Sequence, residues 1–246
     1  MTDLEMRAIL LAGGKGTRLR PYTTIIPKPL VPVGGQAIME IMVKQLARHR
    51  CKHITVAVNH QAQLIMAYFG DGARWNVRLD YSVEDKPLGT IGPLTLIEDL
   101  PEHFLVMNGD ILTDLDFGKF FGAHVSSGAL ATISTYQRSL TVDFGVLACG
   151  NEQRRIDSFS EKPVEHFQVS MGIYAFSKRV LELVPANEPF GFDDLMLSMI
   201  ERGLDVRALP HDGYWLDIGR PDDYDRANED HAEIVGRLLP DEAPGG

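Results

Sequence analysis

Short apolar, β-branched runs alternate with amphipathic stretches through the first half of this chain: 7–11 then 39–47, 53–58 then 61–69, 77–81 then 94–98, and 104–107 then 117–125. This β-α repetition builds a mostly parallel sheet covered by helices on both faces, and it places ligands outside the carboxyl ends of the strands. After Leu130 the pattern changes to strands at 130–136, 144–148, 155–159 and 169–176, with turn residues such as Gly150-Asn151 between them. A mixed or antiparallel second half is expected. Helical patterns return at 178–184, 194–201 and 221–239, the last opening with Pro221-Asp222-Asp223 as a helix N-terminus should. The tail 240–246 reads as frayed. With 246 residues, 44% of them hydrophobic, the chain can bury one substantial core, and 1–246 is expected to form a single domain.

The first strand runs into Leu11-Ala12-Gly13-Gly14-Lys15-Gly16-Thr17-Arg18, and Pro27-Lys28-Pro29 follows shortly after. Gly13, Gly14 and Gly16 let backbone N–H groups approach phosphate oxygens, while Lys15, Arg18 and Lys28 supply positive charge. Five Lys or Arg and no acid lie between Met6 and Met39, in a chain whose net charge is −10. That departure from the background marks a polyanion site fit for a nucleoside triphosphate. Neither common phosphate motif is present: G-x-G-x-x-G would need glycine where Leu19 stands, and the Walker order G-K-[ST] is replaced by Lys15-Gly16-Thr17. Glycines serving only a tight turn are the plain alternative, and the cations tell against it.

The acidic balance and the absence of a basic stripe argue against nucleic acid and against an anionic membrane surface as partners. Cys51 and Cys149 form no C-x-x-C and read as two isolated buried thiols. The apolar run 8–12 is too short for a signal-peptide core and no stretch has the length of a membrane span, so a cytoplasmic location is expected. The histidines, His60 among them, make no metal-ligand pattern and read as solvated or core residues.

Two aspartates stand out. Asp110, in Asn108-Gly109-Asp110, closes an apolar strand and emerges at the ligand edge of the sheet. Asp217 ends an aromatic-flanked strand in Tyr214-Trp215-Leu216-Asp217-Ile218-Gly219. A carboxylate beside a triphosphate points to Mg²⁺, which takes oxygen ligands from one or two carboxylates and the substrate phosphates. Taken singly, each aspartate is more commonly a turn or capping residue. Glu161-Lys162-Pro163 follows a further strand, and such a turn can present its ammonium to a second phosphate.

Taken together and in order, G-G-x-G-T-R-L-x-P (13–21), P-K-P (27–29), P-L-G-T-x-G-P-L (87–94), N-G-D (108–110), S-E-K-P (160–163), G-x-Y-x-F (172–176) and W-x-D-I-G-x-P (215–221) resemble the sugar-1-phosphate nucleotidylyltransferases across 8–224. The segment 82–94 is most similar to the mannose-1-phosphate guanylyltransferases and to shorter relatives acting on a D-glycero-D-manno-heptose 1-phosphate. The resemblance implies an α/β fold, a Rossmann-like, mostly parallel mixed sheet flanked by helices, of nucleotide-diphospho-sugar transferase type. It implies that Leu11, Ala12, Gly13, Gly14, Lys15, Gly16, Thr17 and Arg18 wrap the triphosphate, that Lys28 reaches its phosphates, and that Asp110 and Asp217 hold Mg²⁺. Gly89 and Thr90 join the nucleotide side. Lys162 would grip the sugar phosphate, with Gly109, Gly145, Glu161, Ser170 and Gly172 lining the sugar pocket. Relatives often carry Asn where Ser170 stands, which leaves the sugar open and makes room for one at least as bulky as mannose. The left-handed β-helix domain of longer guanylyltransferases is not expected, and a homo-oligomer is left open.

Glu84 stands where thymidylyl and uridylyl relatives typically carry Gln. A carboxylate only accepts hydrogen bonds, which suits the paired N1–H and N2–H₂ donors of guanine. The expected reaction is therefore GTP plus a manno-configured sugar 1-phosphate giving a GDP-sugar and pyrophosphate. The competing reading of Glu84 is an exposed loop acid beside Asp85 and Lys86. Other nucleotidylyl specificities, a metal-dependent glycosyltransferase and a non-catalytic nucleotide-sugar-binding subunit are the rival functions. The glycosyltransferase has no evident need of both Lys28 and Lys162, and the binding subunit should lack one of Arg18, Lys28, Asp110, Lys162 and Asp217, all of which are present.

Overall fold

The computed structural model describes residues 5–59, 61–150 and 155–240; His60, Asn151 and the tail 241–246 lie outside the described residues. Its strands are β1 (Arg7–Leu11), β2 (Pro32–Val33), β3 (Gln36–Ala37), β4 (His53–Val58), β5 (Arg78–Val83), β6 (His103–Asn108), β7 (Ile111–Thr113), β8 (Ala131–Thr141), β9 (Val146–Cys149), β10 (Ile156–Ser160), β11 (Val164–Ser177), β12 (Val206–His211) and β13 (Trp215–Asp217). The α-helices are α1 (Ile38–Arg48), α2 (Ala62–Phe69), α3 (Phe117–Ser127), α4 (Phe192–Glu201) and α5 (Pro221–Leu238). Seven strands form the central sheet in the order β12-β8-β11-β6-β1-β4-β5. All neighbours pair in parallel except β11, which runs antiparallel to β6 and β8. The α/β architecture with a mixed second half is thus the one the alternation demands.

Period two in the strands separates two cores. Ala8 and Leu10 of β1, Leu105 and Met107 of β6, and Ile173 and Ala175 of β11 pack in one cluster with α1, α2 and α3. Ile9, Val106, Tyr174 and Phe176 point the other way and pack with α4. Phe120 and Phe121 of α3 are buried, whereas Ile200 of α4 faces solvent. A third cluster joins Ala227, Ile234 and Leu238 of α5 to Leu112, Leu216 and the loop residues Leu19 and Val31. It clamps the cationic loop against the sheet.

The differences from expectation are local. The stretches 94–98 and 178–184 form 3₁₀ turns, Gly92–Leu96 and Lys178–Leu183, rather than α-helices. Pro93 sits in the first turn of one, and the other stops at an extended Val184, the conformation that a following Pro185 favours. β12 is an unanticipated edge strand, where Pro210 is tolerated. Cys51 is buried and its thiol is pushed up to about 12 by that burial, but Cys149 is exposed on β9 because nothing in the described chain covers that strand. No helix among the described residues is long and apolar enough to cross a membrane.

α3 carries the one deeply buried histidine among the described residues. His124 is fully buried, with Nδ1 2.9 Å from Thr132 Oγ1 and Nε2 3.1 Å from His103 Nδ1. Burial and then His103 push its pKa down to about 4. The fold therefore holds a neutral ring while the unfolded chain binds a proton between about pH 6.5 and 4, so stability falls as pH drops through that window. Urea unfolding should lose up to about 3 kcal/mol between those limits through this group, and His124→Gln should flatten the slope. An unchanged slope in the variant assigns the acid sensitivity elsewhere.

Candidate active site

Parallel register brings the glycine loop to the ligand edge. Leu11 lies opposite Ala57 of β4 and Asn108 of β6, and Ala12 N donates to Ala57 O at 2.8 Å. Gly109 N donates to Leu11 O at 2.9 Å, and a Cβ on Gly109 would stand 2.9 Å from that same oxygen. Only glycine lets the Asn108-Gly109-Asp110 turn lie so close to the loop. Gly16 adopts the left-handed region at φ 61°, its carbonyl accepts from Thr23 Oγ1 at 2.7 Å, and Leu19 N closes the 3₁₀ turn Thr17–Leu19 onto it at 3.0 Å.

Lys28 opens a further 3₁₀ turn, and its ammonium forms an ion pair with Asp110 Oδ2. The other oxygen, Asp110 Oδ1, is buried without a hydrogen-bond partner. β13 pairs antiparallel with β7, setting Asp217 opposite Ile111, and Ile218 N donates to Asp110 O at 3.1 Å. The two aspartates thus sit side by side. Burial, and next the Asp110 carboxylate, raise the pKa of Asp217, with Lys28 and Arg18 opposing. An orphaned carboxylate oxygen beside a second, strained carboxylate is a good fit for a hard divalent cation. No cluster of three or more His, Cys, Asp or Glu suited to a metal occurs among the described residues. Mg²⁺ held by Asp110 and Asp217 would therefore take its remaining ligands from phosphate oxygens and water.

Two adjoining hollows share Leu11, Gly14, Lys15, Arg18 and Asp110. The smaller, about 280 Å³, is also lined by Ala12, Gly16, Thr17, Lys28 and Gly109. The larger, about 450 Å³, continues to Gly13, Glu84, Gly89 and Thr90. All the residues expected on the nucleotide side thus line one continuous cleft.

Glu84 is only 8% exposed, which corrects the alternative of a solvated loop acid. Its backbone N donates to Val58 O at 3.0 Å, and its Oε2 accepts from Leu88 N at 2.9 Å. Burial raises its pKa and the Leu88 N–H opposes. Oε1 lies 2.9 Å from where a Cβ on Gly13 would stand, so a side chain on Gly13 would collide with this carboxylate. Gly89, at φ 81°, packs so tightly that a Cβ would meet Phe190 O at 2.7 Å, and Thr90 Oγ1 accepts from Phe192 N at 2.8 Å. The segment carrying Phe190 and Phe192 therefore fixes the loop.

The residues expected on the sugar side are divided. Ser170 and Gly172 lie at an irregularity in the β11–β8 pairing, where Gly172 N donates to Ser170 Oγ at 3.2 Å. Gly172 has φ 74°, a Cβ there would stand 2.5 Å from Asn108 Nδ2, and Trp215 Nε1 donates to Met171 O at 3.1 Å. The irregular segment is thereby joined to the strands that end in both aspartates. Gly145 and Glu161 are neighbours, since a Cβ on Gly145 would be 3.1 Å from Glu161 Oε2. With Lys162, exposed at φ 45°, they belong to a projecting arm and line neither hollow.

Sequence reasoning missed Asn59, which lines the larger hollow and donates to Glu84 O at 3.4 Å, while Asp223 caps α5 as its place in the first turn implies, accepting from Gly219 N and Arg220 N at 3.2 and 2.9 Å. Asn59 directly follows a parallel strand, the same signal that identifies Asp110.

A family model described as nucleotidyl transferase matches residues 7–234. The chain is 36% identical over 239 residues to a UTP--glucose-1-phosphate uridylyltransferase of Synechocystis sp., covering 89% of this chain and 61% of that protein. It is 32% identical over 226 residues to a mannose-1-phosphate guanyltransferase of Yarrowia lipolytica, covering 89% and 62%. The chain therefore spans about three fifths of the length of these curated relatives. The crystal structure of HddC from Yersinia pseudotuberculosis complexed with GMP-PN is similar at a TM-score of 0.69 and 27% identity, covering 91% of this chain and 98% of that one. The sheet order, the glycine loop on its carboxyl edge and a match running almost from end to end agree: the chain belongs to the nucleotidyl transferase family.

Proposed function

We propose that this chain is a sugar-1-phosphate guanylyltransferase, joining GTP to a manno-configured sugar 1-phosphate, either mannose 1-phosphate or D-glycero-α-D-manno-heptose 1-phosphate, to give a GDP-sugar and pyrophosphate. The observation that carries this reading is the convergence of Lys28, Asp110 and Asp217 on the glycine loop, with the buried Glu84 at the far end of the same cleft. A sugar-phosphate oxygen attacks the α-phosphorus of GTP, the bond to the α–β bridging oxygen breaks, and pyrophosphate leaves with the electron pair. No general base is required, because the second pKa of a phosphate monoester is about 6 and the attacking oxygen is already largely ionised at neutral pH. The barrier is repulsion between anions. Arg18, Lys15 and Lys28 counter it on the triphosphate and Lys162 on the sugar phosphate, while backbone N–H groups of the loop hold the in-line geometry. Mg²⁺ on Asp110 and Asp217, when bound, supplies further charge neutralisation at the phosphates.

A uridylyltransferase is the second reading, favoured by the 36% identity to the Synechocystis sp. relative. GTP is supported by the chemistry of Glu84, whose carboxylate can accept but not donate, and by the guanyltransferase relatives.

Asp110→Asn and Asp217→Asn should each lower kcat at least a hundredfold, equivalent to about 3 kcal/mol. Pyrophosphate release measured at saturating Mg²⁺ checks this, and near-normal turnover in either variant removes that residue from the metal site.

A panel of GTP, UTP and dTTP separates the two nucleotide readings. GTP should be preferred, and Glu84→Gln should narrow the preference by about one to two orders of magnitude, since a good bidentate contact to a base discriminates by roughly 1 to 3 kcal/mol. Unchanged nucleotide ratios would reduce Glu84 to a loop-holding residue.

On the sugar side, Lys162→Ala should raise KM for the sugar 1-phosphate while leaving KM for GTP within a few-fold. Measured across manno-configured sugar 1-phosphates, the parent chain should accept the heptose 1-phosphate at least as well as mannose 1-phosphate, because Ser170 is shorter than Asn. An effect confined to the KM for GTP reverses the assignment of the two phosphate sites.

A further inference from the structure

The two hollows occupy only part of the ligand edge. Their lining comes from the ends of β6, β1, β4 and β5 and from the loops that follow, with nothing from β11 or β8 on the other side of β6. A nucleotide laid along those strands, with its metal at Asp110, leaves β11 and β8 to a sugar 1-phosphate. These two strands reach the edge at Ser170 and Thr135, which pair with each other. β8 then runs on through Tyr136 to Arg138, its single basic residue.

Tyr136 and Arg138 share one face of β8, and both meet Trp215. The Tyr136 and Trp215 ring centroids are 5.3 Å apart, and the Arg138 guanidinium carbon lies 4.9 Å from the centre of the Trp215 ring. Trp215 is itself fixed, since its Nε1 donates to Met171 O at 3.1 Å. Arg138 is exposed, and among the described residues no hydrogen bond or ion pair engages its guanidinium. Stacking uses the face of a guanidinium and leaves the N–H donors around its edge free. The chain thus holds an oriented, uncommitted set of donors beside the strand that ends in Asp217.

We propose that Arg138 is a specificity-determining residue of the sugar site, donating to hydroxyls on the exocyclic carbons of a hexose or heptose 1-phosphate. The proposal rests on the sugar-1-phosphate nucleotidylyltransferase reading of the cleft. Position decides which part of the sugar Arg138 meets. Trp215 and Asp217 lie on the same face of β13 two residues apart, a separation of about 7 Å along the strand. In the proposed reading the attacking phosphate lies at Asp110 and Asp217, so the pyranose ring spans that interval and its exocyclic chain reaches the guanidinium stacked on Trp215. Arginine suits the task better than lysine. Two N–H groups on one edge of the fork can meet two neighbouring hydroxyl oxygens, as the exocyclic diol of a heptose presents them, whereas an ammonium is a point charge.

The test compares Arg138→Ala with the parent on three sugar 1-phosphates of matching ring configuration: the heptose, mannose, and α-D-lyxopyranose 1-phosphate, which is the mannose compound without its exocyclic carbon. Pyrophosphate release gives kcat/KM, and a pentose turned over too slowly is compared by its inhibition constant against mannose 1-phosphate. The variant should lose about ten- to a hundredfold on the heptose and mannose compounds, the effect of removing a hydrogen bond from a charged donor. It should match the parent within a few-fold on the pentose and in its KM for GTP. Arg138→Lys, which keeps the charge without the planar fork, should recover little of the loss. Undiminished use of the heptose and mannose compounds by Arg138→Ala overturns the proposal. So does an equal loss on all three sugars, which would put Arg138 at the phosphate or the ring hydroxyls, and so does full recovery in Arg138→Lys. A parent that instead uses UTP and glucose 1-phosphate overturns the function proposed for the cleft but not this role for Arg138, which the same comparison between glucose 1-phosphate and α-D-xylopyranose 1-phosphate then decides.

Discussion

Parallel pairing of β1 with both β4 and β6 is the constraint from which the cleft follows. It brings the carboxyl ends of three strands to one edge, so that the loop after Leu11, the turn after Asn108 and Glu84 after β5 emerge as neighbours. Side chains would keep these segments apart. Gly109 and Gly13 lie within 3 Å, measured from a notional Cβ, of Leu11 O and Glu84 Oε1, so their glycines are contact requirements rather than sources of flexibility. α5 completes the arrangement from outside, holding Leu19 and Val31 in a core of their own.

The electrostatics of the edge are balanced between two carboxylates and the cations of the loop. Lys28 neutralises one oxygen of Asp110 and leaves the other buried without a partner, while Asp217 is pressed toward its neutral form by burial and by Asp110. Such a set is stable only in part: an unsatisfied buried acceptor carries a penalty of about 1–3 kcal/mol. A ligand that brings both a cation for the carboxylates and anionic oxygens for Lys28 relieves both strains together. In the proposed reading a metal–triphosphate pair meets that description, and neither component alone does.

Much of this was legible in the sequence because it rests on local patterns. β-α alternation gives the sheet, and glycine and lysine after the first strand mark its ligand edge; Asp110 and Asp217 follow from their places at strand ends. Other features are long-range and leave weaker traces. β12 reads poorly as a strand because Pro210 interrupts it, and the turns at Gly92 and Lys178 carry helix-like apolar spacing without the length to form α-helices. The burial of Glu84 depends on Leu88 N and on the absent side chain of Gly13, neither of which a neighbouring residue announces. The exposure of Cys149 and of the β9–β10 hairpin strands is likewise tertiary, since they read like any others that would be covered.

The two sides of the cleft are built to different standards of rigidity. Around the glycine loop, each of Gly13, Gly89 and Gly109 abuts a carbonyl or carboxylate oxygen, and Glu84 is fixed at both its backbone and its carboxylate. A side chain added there must displace backbone or a buried charge. Of the residues proposed for the sugar, Ser170 and Gly172 are tied to the body through Asn108 and Trp215, whereas Glu161 and Lys162 ride on a ribbon whose side chains touch little else in the described chain. In the proposed reading, substitution can thus alter the sugar pocket without disturbing the phosphate geometry, because only the anchored half shares its contacts with Asp110 and Asp217. A fold organised in this way can keep one phosphate chemistry while its sugar substrate changes, which agrees with the different sugars named among its relatives.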